Sequence, residues 1–339
     1  MATFVGAPSS RGVVFTRGAT EAINLVASTW GAAHLKPGDE VALSVLEHHS
    51  NLVPWQLLAR RTGCVLRFAP LGPGGSAPGV DQWRSVVGPR TRLIATAHVS
   101  NVMATTAPVA DLVTMARACG ARVLLDACQS VPHMPVDFRS LGVDFLVASG
   151  HKMCAPTGIG FLIAQPELLD TLPPWQGGGE MIDTVTLEDS TFAPAPMRFE
   201  AGTPNIAGAI GLGAACAYLG RLDMRAVAAF EHDMGGLLTQ ELMHRVPGVT
   251  LYGPPPGSPR AALAAFNVDG LHATDVSTLL DAAGVAVRSG HHCTQPLHAA
   301  LGINASARAS LYIYNTAGEV DAFVEALRDS VRFLREAGL

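Results

Sequence analysis

The first two-thirds of the chain alternates short apolar runs with stretches of helical periodicity. Runs rich in Val, Ile, Leu and Phe are typical of buried strands, and helical segments between them supply the crossovers that a parallel sheet requires. Helices are predicted at 20–30 and 109–119. Strands are predicted at 13–16, 41–45, 65–68, 93–97, 123–125, 145–148 and 159–163. We therefore expect an α/β fold with one large, mostly parallel sheet of about seven strands.

The pattern changes after about residue 220, where longer helices surround a few strands, predicted at 263–268 and 285–288. We expect two domains: a large one at 1–220 and a smaller α+β one at 221–339. Segments rich in Gly, Pro and Ser at 72–79 and 253–259 are typical of surface loops.

Charge and apolar content limit the classes of partner. The formal charge of -5 gives no basic surface for nucleic acid or for an anionic membrane. The longest apolar run, 206–219, is shorter than the roughly 20 residues of a membrane span, so we expect a buried helix there. The six cysteines form no Cys-x-x-Cys pair, which argues against a zinc site or a disulfide framework and favours the cytoplasm.

Two lysines, Lys36 and Lys152, are the side-chain candidates for chemistry that needs a primary amine. Lys36 lies in a polar turn sequence and is expected at the surface. Lys152 follows a predicted buried strand in Ser-Gly-His-Lys, where lost solvation lowers the pKa of an amine and makes it available for a Schiff base. A solvated surface lysine is the alternative interpretation of Lys152.

Polar residues stand where the predicted strands end, and ligands of such sheets bind at that edge. Asp126 ends an apolar strand, and a carboxylate at the pyridine nitrogen is what pyridoxal 5′-phosphate (PLP) requires. Thr20 opens a helix directly after a strand, and Ser149 and His151 flank Lys152; these groups suit a phosphate. The alternatives are a helix cap or buried structural aspartate for Asp126 and ordinary helix capping for Thr20.

Eight segments together resemble a known family. They are FTRGATEAINLV (15–26), EHHSNLVPW (47–55), HVSN (98–101), SGHK (149–152), GGGEMI (177–182), FEAGTPN (199–205), RSGHHCTQP (288–296) and RASLYIYNT (308–316). In order, from about Gly12 to the C-terminus, they resemble class V aminotransferases. Within that family they are similar to the group II cysteine desulfurases of the SUF iron–sulfur assembly system, which are relatives of selenocysteine lyase. The implied fold is the fold type I PLP-dependent transferase.

The resemblance implies a role for each matching residue. His48 stacks on the cofactor ring and passes protons, Asp126 pairs with the ring nitrogen, and Gln129 binds the phenolic oxygen. The substrate carboxylate is held by Asn101 and Arg308, with Arg288 nearby. The cofactor-binding set implied in this way is Thr20, His48, Asp126, Gln129, Ser149, His151, Lys152 and, from the second subunit of a homodimer, Thr203.

Cys293 matches the sulfur acceptor of the family. The implied reaction converts L-cysteine to alanine, with L-selenocysteine as the alternative substrate. The sulfur is carried as a persulfide on Cys293 and passed to an acceptor protein for iron–sulfur or thio-cofactor assembly. His291 and His292 are expected to favour the Cys293 thiolate. A metal site at this His-His-Cys cluster is the alternative, disfavoured because four suitably spaced ligands are not evident. The other five cysteines are expected in apolar, structural settings.

The sequence departs from the family at two places. Ala19 stands where a second hydroxyl is usual, so we expect weaker retention of the cofactor phosphate. Family members also carry an N-terminal arm, with a Leu-Asp-x-Ala-Ala motif and a His-Arg segment near the active-site entrance. This sequence begins after that position. A natural short form, a wrongly assigned start and a trimmed chain are the alternatives, and a true loss of the arm would affect the dimer, the entrance and turnover.

Two alternatives to a desulfurase remain open at this point. One is selenocysteine lyase or a biosynthetic C–S lyase on the same scaffold, which is distinguished by whether activity with L-cysteine survives loss of Cys293. The other is a non-catalytic relative that binds PLP or a sulfur-transfer partner. The joint presence of Lys152, Asp126, His48, Cys293 and Arg308 argues against the second.

Overall fold

The computed structural model describes residues 1–338 and contains a large sheet, a smaller sheet and a two-stranded hairpin. The strands are β1 (Val13–Thr16), β2 (Glu40–Ser44), β3 (Val65–Ala69), β4 (Thr91–Ala97), β5 (Arg122–Asp126), β6 (Phe145–Ser149), β7 (Gly160–Ala164), β8 (Ile182–Val185), β9 (Ser190–Phe192), β10 (Val249–Tyr252), β11 (Leu263–Val268), β12 (Arg288–Gly290) and β13 (Ser306–Ser310). The helices are α1 (Ala19–Val26), α2 (Ala32–His34), α3 (Val53–Thr62), α4 (Val80–Arg84), α5 (Val109–Cys119), α6 (Phe138–Leu141), α7 (Pro166–Asp170), α8 (Ile206–Leu219), α9 (Met224–Arg245), α10 (Ala273–Ala282), α11 (Gln295–Ala300) and α12 (Ala317–Glu336).

The large sheet has seven strands in the order β1-β7-β6-β5-β4-β2-β3. Strand β7 is antiparallel to both of its neighbours, and the remaining pairs are parallel. Every residue of β2, β6 and β7 is buried, which explains why apolar residues predominate in these strands. The predicted α/β fold with a mostly parallel sheet is confirmed, and the seven predicted strands agree with the observed ones within two residues at each end.

Helices cover both faces of this sheet. One core packs α5 and α8 against residues such as Ile94 and Val123, and the other packs α1 and α3 against residues such as Leu93 and Leu124. Neighbouring residues of one strand belong to different cores because successive side chains of a strand point to opposite faces of the sheet. The predicted helix 20–30 is in fact α1 followed by a five-residue π-helical segment, Ala27–Gly31.

The smaller sheet has the order β10-β11-β13-β12 and is antiparallel throughout. Helices α9, α10 and α12 form a separate core against it. The predicted strand 285–288 is displaced, because pairing with β13 begins only at Arg288. The division into domains at 1–220 and 221–339 stays a prediction. Residue 339, the last of the second predicted domain, lies outside the described residues.

Helix α8 has the predicted bounds but is not fully buried. Leu212, Cys216 and Leu219 face the core, whereas Ile206 and Ile210 are 58% and 70% exposed. The prediction of a buried helix is therefore wrong for one face, because apolar composition alone does not say what covers a helix. Within residues 1–338, no helix is both long and apolar enough to cross a bilayer.

The carboxyl ends of β1, β2, β4, β5 and β6 meet at one edge of the large sheet. Strand β1 runs antiparallel to β7, as β6 does, so it shares the direction of the parallel strands. Gly160 of β7 permits the close approach at this edge, since a Cβ there would lie 2.5 Å from the Cα of Gly18. The turn before α1 is thereby held against the end of β6.

Candidate active site

A cavity of about 210 Å³ opens at this edge and contains most of the predicted site residues. The large sheet supplies its walls from the turn after β1 and from the ends of β2, β4, β5 and β6, and the small sheet closes it from β12 and β13. The predicted residues that line it are Thr20, His48, Asn101, Asp126, Gln129, Ser149, His151, Lys152, Arg288 and Arg308. Cys293 and Thr203 are not part of its lining. Their roles, like those of the other ten, stay predictions.

Lys152 and Lys36 lie in contrasting environments. Lys152 ends a short 3-10 turn, Gly150–Lys152, directly after β6, and is half-buried in the cavity wall. Lys36 is exposed in the turn before β2, where its backbone N–H donates to Asp39 Oδ2. Burial lowers the pKa values of His48 and His151, and the positive charge of Lys152 contributes to lowering both. Of the two lysine side chains, only Lys152 is placed to react in the cavity.

Asp126 is the last residue of β5 and is 6% exposed. Its Oδ1 accepts a hydrogen bond of 3.0 Å from the backbone N–H of Cys128, which anchors the carboxyl group at the cavity wall. Burial raises the pKa of the Cys128 thiol to about 12, and the charge of Asp126 raises it further. Cys128 is therefore a neutral thiol beside the carboxylate.

His48 is held by its own turn. Its Nδ1 accepts a hydrogen bond of 3.1 Å from the Ser50 backbone N–H, so the proton of the neutral ring is on Nε2. Burial lowers the pKa of His48 to about 4, and the positive charges of Lys152 and Arg288 also lower it, whereas Asp126 opposes them. At neutral pH the ring is uncharged and presents one N–H donor.

Hydroxyl and backbone donors gather at the start of α1. Thr20 Oγ1 lies 2.6 Å from Ser50 Oγ, and the backbone N–H of Ala19 donates to Ser149 Oγ at 2.9 Å. These groups stand beside the helix N-terminus, a favourable position for an anion. The Ala19 backbone donor thus remains in place although its side chain supplies no hydroxyl. Ser50 was not singled out from the sequence, although it lies within the His-His-Ser motif that contains His48.

Arg308 of β13 brings a charged guanidinium to the cavity from the small sheet. Its Nη1 donates to the backbone O of Asn101 at 3.1 Å, and its Nε is buried with no hydrogen-bond partner among residues 1–338. Burial lowers the pKa of Arg308 to about 10, which leaves it charged at neutral pH. A buried cation with a free donor fits a carboxylate ligand. The side-chain amide of Asn101 itself donates to His292 O at 2.9 Å.

Cys293 lies between β12 and α11, half-buried, on a backbone that is left-handed at His292 and Cys293 (φ 51° and 59°). Its carbonyl accepts from the His49 backbone N–H at 2.8 Å, which joins this loop to the turn of His48. Arg288 Nη2 is 3.3 Å from Cys293 Sγ. The loop that carries the thiol is therefore attached to the rim of the cavity.

The structure corrects the expected role of His292, whereas that of His291 stays a prediction. His292 is 1% exposed, and its Nε2 lies 3.0 Å from Ser306 Oγ, away from the thiol. Burial lowers its pKa to about 3, so it is uncharged at neutral pH and does not favour the thiolate by its charge. The positive charge next to Cys293 comes from Arg288, five residues earlier, because the left-handed backbone folds the loop onto β12.

A second cavity, of about 330 Å³, adjoins the first and shares Gln129, His151, Lys152 and Arg308 with it. Cys154 lies here, exposed, with a left-handed φ of 61°. The prediction that the five other cysteines are structural is wrong for Cys154, because the turn after Lys152 leaves its side chain at the surface.

Thr203 lies apart from the main cavity. It is exposed in a cleft with Arg17, Trp175 and Glu200, on the loop that precedes α8. This position agrees with the expectation that it serves a second subunit, which stays a prediction. Among residues 1–338, no group of three or more His, Cys, Asp or Glu side chains is arranged to hold a metal ion.

The donor set fits PLP. The cavity combines an amine, a buried carboxylate, a neutral imidazole, a cluster of hydroxyl and amide donors at a helix N-terminus, and an arginine with a free buried N–H. An amine, a carboxylate and an anion site are what this cofactor requires of its protein. The arginine remains for the carboxylate of an amino-acid substrate.

Comparison with known proteins agrees with this geometry. Residues 1–323 match the family model described as aminotransferase class-V. A probable cysteine desulfurase of Synechocystis is 50% identical over 337 residues, which cover 99% of this chain and 80% of that protein. A cysteine desulfurase of Escherichia coli is 47% identical over 332 residues, 98% of this chain and 80% of that one. The crystal structure of the E. coli cysteine desulfurase CsdA superposes with a TM-score of 0.93 at 39% identity, covering 98% of this chain and 82% of that chain.

Proposed function

The chain belongs to the aminotransferase class-V family, and from that premise we propose that it is a PLP-dependent cysteine desulfurase. It converts L-cysteine to L-alanine and keeps the sulfur as a persulfide on Cys293. The observation that carries the proposal is that one cavity joins the amine of Lys152, the carboxylate of Asp126 and the guanidinium of Arg308, with the loop of Cys293 attached to its rim.

Each residue acts through the chemistry of its side chain. Bound PLP supplies an electron sink for the substrate. When PLP is bound, Lys152 would hold it, Asp126 would pair with its ring nitrogen, His48 would pack against its ring, Gln129 would bind its phenolic oxygen, and the donors around Thr20, Ser149 and His151 would bind its phosphate. Arg308, whose buried Nε lacks a protein partner among residues 1–338, would bind the substrate carboxylate.

Cys293 receives the sulfur. Its thiolate attacks the substrate sulfur, so that an S–S bond forms as the C–S bond breaks, and the substrate carbon takes a proton to give alanine. One thiol and one cysteine yield one persulfide and one alanine, and no external oxidant is needed. Arg288 Nη2 lies 3.3 Å from Sγ, so a positive charge stands next to the sulfur that attacks.

The direct test is to incubate the purified, PLP-loaded chain with L-cysteine and reductant. Alanine and sulfide should appear in equal amounts. Formation of pyruvate or ammonia in place of alanine would contradict the proposal.

Asp126→Asn is expected to lower turnover by about a hundredfold or more, because the neutral amide does not keep the ring nitrogen protonated. The residue is nearly isosteric and can still accept from the Cys128 N–H, so thermal unfolding should change little. The rate of alanine release and the absorbance of bound cofactor measure the two effects. Near-full turnover by Asp126→Asn would show that the carboxylate charge is not required.

The partners are part of the same proposal. A protein with an accepting thiol takes the sulfur from Cys293, whose loop is open to solvent at His291 and Gln295. The cytoplasm is the proposed compartment, since unpaired thiols such as the exposed Cys154 persist where disulfides do not form.

We also propose a homodimer in which Thr203 reaches the cofactor phosphate of the other subunit. Large apolar side chains are exposed on the segments that precede and follow Thr203 in the chain: Val185 and Leu187 on the hairpin of β8 and β9, Met197, and Ile206 and Ile210 on α8. Exposed apolar side chains of this kind are typical of a surface that another subunit covers.

Mixing two inactive variants tests this arrangement. Lys152→Ala and Thr203→Arg subunits, unfolded and refolded together, should regain about a quarter of wild-type activity, because half of the dimers are mixed and each has one intact site. Light scattering gives the oligomeric state. A monomer with full activity, or no recovery on mixing two variants that both dimerise, would contradict the shared site.

A further inference from the structure

Glu47 is a buried carboxyl group without a predicted role in the cavity. It is 1% exposed and precedes His48 at the end of β2. Three donors surround it: Ser44 Oγ at 2.5 Å, Asn51 Nδ2 at 2.7 Å and the backbone N–H of Ala97 at 2.8 Å. A carboxylate accepts all three of these hydrogen bonds, so the arrangement is complementary to the ionised form.

These contacts join three elements at the cavity edge. Ser44 ends β2, Asn51 stands just before α3, and Ala97 ends β4 in register with Asp126 of β5. Asn51 is in turn fixed by the indole N–H of Trp55, at 3.0 Å. The residues between Glu47 and Asn51 form the turn of His48, so the carboxyl group fastens that turn at both ends.

We propose that Glu47 is a positioning residue of the active site, which holds the His48 turn against the ends of β4 and β5 and so fixes the orientation of the His48 ring in the cavity. This inference rests on the proposed function for its kinetic consequences. Its structural part concerns His48 alone and is independent of the reaction.

The proton of Glu47 makes the idea testable by pH. Burial raises its pKa to about 7, and the charge of Asp126 raises it further, against the three donors. The carboxyl group contacts Ser44 of β2, Asn51 before α3 and the backbone N–H of Ala97 in β4, and none of these groups titrates near pH 7. The titratable groups near it are Asp126 and, next in the chain, His48. Above pH 7 the ionised carboxylate accepts all three donors. Below it, the proton on the carboxyl displaces one of them and loosens the turn.

Glu47→Gln is expected to lower kcat about tenfold at pH 8.5, with KM for cysteine within about twofold, because Arg308 and Asn101 are untouched. The ratio of wild-type to variant kcat should shrink toward one as the pH falls to 6, since the wild type then also has a protonated side chain. Ser44→Ala removes a donor that lowers the pKa of Glu47, so the pH at which the kcat ratio falls should be higher in this background.

Glu40→Gln is the matched control. Glu40 is a buried carboxylate at the opposite end of β2 and forms ion pairs with Arg67 and Arg90. Its loss should destabilise the chain without changing the pH dependence of kcat. A wild-type to Glu47→Gln ratio that stays constant from pH 6 to 8.5 would mean that Glu47 is only structural and would overturn the proposal.

A measurement without turnover separates this inference from the proposed function. Long-range ¹H–¹⁵N spectra of the chain report the tautomer of each histidine, and His48→Asn identifies the His48 signals. The wild type should show His48 with its proton on Nε2, and Glu47→Gln should show a mixture of tautomers and a several-fold weaker affinity for PLP by absorbance titration. An unchanged His48 signal in a folded Glu47→Gln variant would refute the positioning role, even if the chain proved to be a desulfurase. An altered signal in a chain without desulfurase activity would refute the proposed function alone.

Discussion

Replacing Lys152 by alanine is expected to abolish alanine release from L-cysteine, with a loss of at least about a thousandfold. Lys152 is the lysine whose side chain lines the cavity, and no other residue there offers a primary amine. The variant should fold, because Lys152 is half-buried and makes no hydrogen bond with its side chain among the described contacts. Alanine release and thermal unfolding of the loaded chain measure both expectations.

Two further variants separate the amine from the charge. Lys152→Arg keeps a positive charge near His48 but lacks the reactive amine, so it should be as inactive as Lys152→Ala. Lys36→Ala, at an exposed turn, should retain wild-type activity. Reduction of the loaded wild type with borohydride should fix the cofactor to the peptide that contains Lys152. A reduced adduct on Lys36, or more than a tenth of wild-type activity in Lys152→Ala, would contradict the assignment.

The fold was predictable because buried parallel strands leave a strong pattern. Strand β6 is apolar up to its last residue, and the polar residues that end β5 and β6, Asp126 and Ser149, lie at the cavity edge. The failures have a physical cause as well. Strand β12 begins at Arg288 because pairing with β13 defines it, and no local periodicity reports that pairing.

The site was predictable where a reactive side chain lies at or just after the end of a strand, as Asp126 and Lys152 do. It was not predictable where distant segments meet. Arg308 enters the cavity because the small sheet packs over the edge of the large one. Residue periodicity does not predict a contact between the two sheets, so the position of Arg308 was implied by the family resemblance alone. His292 is adjacent to Cys293 in sequence but turns into the core, whereas Arg288 reaches the thiol. The left-handed backbone at His292 and Cys293 sets the directions of these side chains, and the amino-acid composition does not predict such a conformation.

Cys293→Ser is expected to bind PLP as the wild type does yet to release alanine from L-cysteine at least about a hundredfold more slowly. The serine hydroxyl is not ionised at neutral pH, and Arg288 at 3.3 Å cannot make it a comparable nucleophile toward sulfur. The cofactor-binding cavity should be unaffected, because the lining residues do not include Cys293. Absorbance of bound cofactor and the rate of alanine release measure the two properties on the same sample.

Cys154→Ser is the matched control for this experiment. Cys154 is the exposed thiol in the adjoining cavity, so its replacement should leave turnover unchanged if Cys293 is the acceptor. Incubation with L-cysteine in the absence of reductant, followed by alkylation and mass spectrometry, should show one additional sulfur on the peptide that contains Cys293. Sulfur found on Cys154 would transfer the acceptor role to that residue. Undiminished alanine release by Cys293→Ser would mean that the C–S bond breaks without a protein thiol, and the chain would then be a lyase on a desulfurase scaffold.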